Sequence, residues 1–183
     1  MKSLVLLVVI AILATSNTYA QSSFETIDGL SYLIYPDAKT AALTFNPSGE
    51  KYSGNIVVPE KVKASNGVEY TVTSLGESCF YGCSGLTSIT IPSSVTSLGG
   101  GCFLGCSSLE SIIIPSSVEE MGGLIFYGCN LLKSVYFKGK LPKYLTTYCN
   151  APTDCSFYVP RPYLQEYIDA IGSKYSSIYP WDG

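Results

Sequence analysis

A repeat of fixed length constrains this chain more than any other feature. From Ser74 the sequence reads SLGESCFYGCSGLTSITIPSSVT, from Ser97 SLGGGCFLGCSSLESIIIPSSVE, and from Glu120 EMGGLIFYGCNLLKSVYFKGKL. Cys83, Cys106 and Cys129 recur at a strict 23-residue period, as do Phe80, Phe103 and Phe126 and then Leu86, Leu109 and Leu132. Self-similarity at such a period marks a solenoid, in which each copy is one coil that buries its apolar side chains against its neighbours. A single coil offers too few apolar side chains to offset the entropy of ordering its own backbone, so coils must stack.

Spacing inside the copy shapes the coil. Leu86-x-x-Ile89-x-Ile91 alternates at its end, so Ile89 and Ile91 point one way from a short strand while Ser88 and Thr90 point the other. Pro92 removes a ladder donor and ends the strand. The Gly-rich half, Gly76 to Gly85, is expected to bring the chain round the far side as a turn or one helical turn.

The pattern F-x-G-C-S-x-L-x-S-I-x-I-P-S-S-V resembles the BspA-type leucine-rich repeat, also called the Treponema pallidum type, of surface and secreted proteins of bacteria and some protists. The resemblance is close over the three copies and looser on the flanks, from Phe24 to Pro160. It implies an α/β-type leucine-rich-repeat solenoid, mostly short parallel strands in 23-residue coils. It also implies that Cys83, Cys106 and Cys129 form a buried thiol ladder beside the turn, with Cys79 and Cys102 at a small buried position.

The ends depart from the repeat. Lys2, the apolar run Leu4 to Leu13 and the small-residue ending at Ala20 read as a signal peptide over residues 1–20, cut after Ala20. The apolar run is shorter than the roughly 20 residues a membrane helix needs, so no stable membrane insertion is expected. Residues 21–54 are expected to form an N-terminal β cap, in which Leu30 to Tyr35 and Ala41 to Phe45 make a hairpin across Pro36-Asp37-Ala38-Lys39 and cover the first coil. An independent binding hairpin is the alternative.

The solenoid itself is expected over residues 55–160, with strands around Ile56, Ile89, Ile112, Val135 and Phe157 in one parallel sheet spanning roughly 20 Å. The first coil carries an insertion with a hairpin turn at Asn66-Gly67. Residues 161–183 are expected to form a C-terminal cap, in which Pro162 opens a short amphipathic helix and Gly172 stops it.

Composition excludes several chemistries. The chain has no histidine, so Ser-His and Cys-His nucleophile pairs are ruled out, and no pair of zinc knuckles is present. Gly99-Gly100-Gly101 lacks the Lys-Ser/Thr of a phosphate loop. Glu119-Glu120 is a solvated corner. No active site, cofactor or metal site is expected. A net charge of −3 without a basic stripe excludes nucleic acid as the partner. Cys149 and Cys155 stand outside the repeat and are either disulfide partners or free thiols, and a Cys79–Cys102 bridge is a minor alternative.

What remains is the outward side of the strands. Alignment puts Val57, Thr90, Ile113, Tyr136 and Tyr158 in one file and Ser88, Ser111 and Ser134 in the next. Hydroxyls beside apolar and aromatic side chains on a pre-ordered sheet suit an extracellular protein or glycan ligand. The resemblance implies adhesion to host matrix proteins or other microbes through the concave sheet face. A self-associating structural solenoid with an inert face is the second reading.

Overall fold

The computed structural model describes residues 22–145 and 149–183. The signal peptide expected over residues 1–20 lies outside the described residues, which begin with three antiparallel strands, β1 (Ser23–Ile27), β2 (Leu30–Tyr35) and β3 (Thr40–Thr44), in register from Ser23 opposite Ile34 and Ser31 opposite Thr44. The hairpin of β2 and β3 stands where it was expected. It is extended by β1 and pairs in parallel, through β3, with β6 (Glu69–Leu75). β4 (Gly54–Val57) precedes β5 (Lys61–Lys63), which turns back on β6 through Asn66-Gly67 as an antiparallel pair.

The three copies then contribute two strands each or nearly so. One set is β7 (Leu86–Thr90), β9 (Ser111–Ile114) and β11 (Ser134–Phe137). The other is the end of β6 followed by β8 (Ser97–Leu98) and β10 (Glu120–Met121), parallel with Ser74 beside Ser97 and Ser97 beside Glu120. This second sheet was not foreseen. Where a turn or helical turn was expected across the Gly-rich half, the chain makes turns and donates backbone N–H groups to the next copy: Ser78 to Gly100 O, Phe80 to Cys102 O and Gly82 to Leu104 O, at 3.0, 2.8 and 2.7 Å. The same three bonds recur one copy on, from Gly101, Phe103 and Gly105.

The strands expected to form one parallel sheet are divided. β4 pairs with β7, while β9, β11 and β12 (Ser156–Pro160) form a separate parallel ladder. The register of β4 against β7 shifts at Gly54/Asn55, and β7 and β9 are not hydrogen-bonded into one ladder among the described residues. A further strand, β13 (Ile178–Trp181), adds to β12 in parallel and had no counterpart in the repeat pattern. Between them a 3-10 turn (Arg161–Tyr163) leads into α1 (Leu164–Ile171), which ends at Gly172 as expected.

The core is built of files. Phe80, Phe103 and Phe126 are fully buried and stack with centroids 5.5 and 6.0 Å apart and planes within 13°. Leu86, Leu109 and Leu132 are likewise inaccessible. The glycine before each ladder cysteine, Gly82, Gly105 and Gly128, has φ of 68°, 77° and 76°, a backbone region only glycine enters without strain. α1 covers the far end by burying Tyr167 and Ile171; the Tyr167 hydroxyl donates to Lys140 O at 2.9 Å, and its ring lies 5.0 Å from Phe137.

Candidate ligand-binding face

Alternation in the strands decides which side chains face out. In β9, Ile112 and Ile114 are buried while Ser111 and Ile113 are exposed; in β11, Val135 and Phe137 are buried while Ser134 and Tyr136 are half-buried. The parallel register sets Ile113 beside Tyr136 and Tyr136 beside Tyr158. It also sets Ser111 beside Ser134 and Ser134 beside Ser156. On the separate ladder Val57 lies beside Thr90, with Val57 68% exposed. Ser88 sits beside Asn55 and donates its hydroxyl to Asn55 Oδ1 at 2.8 Å. The expected files therefore exist in two pieces.

Two residues that the repeat pattern did not single out join the aromatic piece. β13 places Tyr179 beside Tyr158, their rings 5.7 Å apart. Trp181 meets Tyr136 edge-on at 5.0 Å. Tyr136 and Tyr158 stack at 4.6 Å with planes 11° apart. Only the strand register brings Trp181 here, since the segment that carries it has no periodic signal. The resulting surface is uncharged, aromatic at one end and hydroxyl-lined along its length, and its backbone is held by ladder bonds, so contact with a ligand orders little.

The cysteines lie inside. Cys83, Cys106 and Cys129 are buried, and Cys106 and Cys129 donate their thiols to the Phe80 and Phe103 carbonyls of the preceding copy at 3.2 and 3.0 Å. Burial pushes the Cys129 thiol up to about 12 and raises Cys106 and Cys83 as well. Burial likewise holds Cys79 well above its ordinary value, beside Cys102. All seven cysteines are free, so neither the Cys149–Cys155 nor the Cys79–Cys102 bridge is formed. Cys149 instead meets the Tyr175 hydroxyl at 3.4 Å, and Cys155 faces the Ser156 carbonyl at 3.8 Å. Among the described residues no group of three or more Cys, Asp or Glu is placed to hold a metal ion.

Comparison with known proteins places this geometry. The model of the BspA type leucine rich repeat region (6 copies) matches residues 60–155. Among solved structures, a leucine-rich repeat protein from Bacteroides ovatus is 27% identical with a TM-score of 0.55, over 76% of this chain and 38% of that one. A leucine rich cell surface protein from Faecalibacterium prausnitzii is 22% identical, with a TM-score of 0.52 over 75% and 45% of the two chains. The T. pallidum leucine rich repeat protein is 21% identical, with a TM-score of 0.51 over 74% and 64%. The chain thus spans under two thirds of the length of each. No curated protein matches the chain. No helix among the described residues is long and apolar enough to cross a membrane.

Proposed function

The chain belongs to the BspA-type leucine-rich-repeat family, and from that premise we propose that it is a secreted or cell-surface binding module, a small solenoid that adheres to host matrix proteins or other microbes through its concave sheet face. The observation that carries this reading is the register of Ile113, Tyr136, Tyr158 and Tyr179 in one uncharged file on the outward side of a parallel sheet. Aromatic residues on a rigid, uncharged surface are the usual anchors of protein recognition, because they bury much area with little loss of side-chain freedom. The sequence of residues 1–20, read as a cleaved signal peptide, supports an extracellular address. The expected domain limits follow the same division: an N-terminal β cap over 21–54, repeats over 55–160 and a C-terminal cap over 161–183.

The test is binding of the purified chain to immobilised matrix proteins and microbial cells beside a Tyr136→Ala, Tyr158→Ala double variant of unchanged circular dichroism. Saturable binding lost in the variant is the expected result. Equal binding by both proteins, or by neither, removes the face from consideration.

A further inference from the structure

A groove at the carboxyl ends of β11, β12 and β13 lies beyond the aligned files. Register builds it. Pro160 of β12 stands opposite Trp181 of β13, so the residues that follow, Arg161 and Asp182, come side by side, and Arg161 Nε donates to Asp182 Oδ2 at 2.8 Å. One strand away Lys138 leaves the end of β11, its backbone N–H bonded to Ile114 O at 2.9 Å. With Ser116, Pro160 and Trp181 these side chains line about 400 Å³, within the roughly 300–1,000 Å³ of small-molecule sites.

The lining has a definite chemistry. Asp182 takes the Nε donor and so orients the guanidinium plane, while the terminal N–H groups of Arg161, which make no ion pair among the described residues, form a fork that matches a carboxylate. Lys138 has no ion-pair partner among the described residues. Gly183 reaches the rim as well. Trp181 lines the groove with an indole, an apolar aromatic surface of the kind that packs against the C–H side of a saturated ring, and Ser116 and Asp182 supply acceptors for hydroxyl groups. A simple carboxylate would leave the indole and the acceptors unused, and a neutral sugar would leave Lys138 and the Arg161 fork unpaired.

We propose that this groove binds an acidic sugar, a uronic acid unit, with its ring on Trp181 and its carboxylate on Arg161 and Lys138. This goes beyond the face reading, since it assigns a small ligand to a groove that adjoins the sheet face and shares Trp181 with it, and it stands whether or not the face binds a macromolecule.

Trp181 is the only tryptophan of the chain; it borders both the groove and Tyr136 of the sheet face, so its emission reports ligand at this end of the sheet and the Arg161 and Lys138 variants assign the response to the groove. The purified full chain is titrated with methyl β-D-glucuronide, methyl β-D-glucoside and acetate. A saturable change with the glucuronide is expected, with the glucoside and acetate weaker by about tenfold or more, as loss of one charge-assisted contact predicts. Arg161→Gln and Lys138→Gln should each weaken the glucuronide about tenfold, the second without touching any bond of the fold. No saturable response to glucuronide, equal responses to glucuronide and either control, or unchanged binding in both variants overturns the proposal. Loss of matrix or cell binding alone, with the glucuronide response intact, counts against the sheet face and not against the groove.

Discussion

Tyr52 meets Phe80 edge-on, with ring centroids 5.4 Å apart and planes at 61°. It thereby ends the file of Phe80, Phe103 and Phe126, standing where a further stacked ring would otherwise be needed. Its hydroxyl is tied on both sides, donating to Thr44 O at 2.9 Å and accepting from the Ser31 N–H at 3.0 Å. The ring closes the repeat core and the hydroxyl fastens the N-terminal sheet to it.

Tyr52→Phe keeps the ring and strands both backbone partners in a buried place. An unsatisfied buried polar group costs about 1–3 kcal/mol, so the variant should lose stability of that order in urea unfolding. Tyr52→Ala should lose more, because Phe80 is then uncovered as well. Equal stability of wild type and Tyr52→Phe would show that the hydroxyl fastens nothing.

Gly122 packs its Cα against the preceding copy: a Cβ there would lie 2.3 Å from Gly100 N, whereas one on Gly123 would meet nothing within 4 Å. Gly122→Ala should therefore lower the melting temperature sharply, since backbone must move, while Gly123→Ala should leave it nearly unchanged. Scanning calorimetry of the pair separates close packing from a general need for flexibility.

Leu124 holds φ of 57°, at the position where the preceding copy has Gly101 with φ of 61°. A left-handed backbone costs an ordinary residue roughly 1–2 kcal/mol, and Leu124 is 47% exposed, so its side chain returns little of that. Leu124→Gly should raise stability by up to about 1 kcal/mol after the entropy of the added glycine is counted. Chemical denaturation measures it, and a loss of stability would refute the strain argument.

Cys129 and Cys155 are raised by burial from an ordinary value of 9.0 to about 12. Below pH 9 both folded and unfolded chains keep these thiols neutral, so the protonated contacts contribute in full. Between about 9 and 12 the unfolded chain ionises and the folded chain does not, so stability should fall by up to about 1.4 kcal/mol per pH unit for each thiol. Urea midpoints from pH 7 to 10.5 should drop above pH 9. Native chain should also resist a thiol reagent that titrates all seven cysteines once unfolded.

Pro180 guards an open edge. The Phe157 N–H donates to Ser177 O at 2.7 Å, and backbone groups alternate along a strand, so Ile178 and Pro180 turn theirs away from β12. Proline there presents no N–H to an incoming strand. Pro180→Thr supplies one and should produce concentration-dependent association in sedimentation velocity where the wild type shows less. Association already strong in the wild type would favour the self-associating reading over an isolated binding module.

The strands of the repeats and their two faces could be read from the residues alone, because side chains alternate strictly along a strand and burial selects one set. The stacked files were legible for the same reason: Phe80, Phe103 and Phe126 occupy one place in successive copies, so equal spacing in the chain becomes contact in space. The turn at Asn66-Gly67, the hairpin of β2 and β3, and the stop at Gly172 follow from local backbone preferences, which need no partner to act.

Other features were decided only by tertiary structure. The division of the strands between the β4–β7 pair and the ladder from β9 to β13 is a matter of backbone pairing between coils, about which a periodic pattern of side chains carries no information. The two-residue strands β8 and β10 are too short to alternate, so they exist because neighbouring copies hydrogen-bond them. Tyr52, Trp181 and the Arg161–Asp182 pair lie outside the period: strand register sets Trp181 and the ion pair in place, and packing on Phe80 sets Tyr52. The repeat determines what must stack, because identical units bury identical surfaces; the ends, which have no identical neighbour, are determined by what the folded repeats leave uncovered.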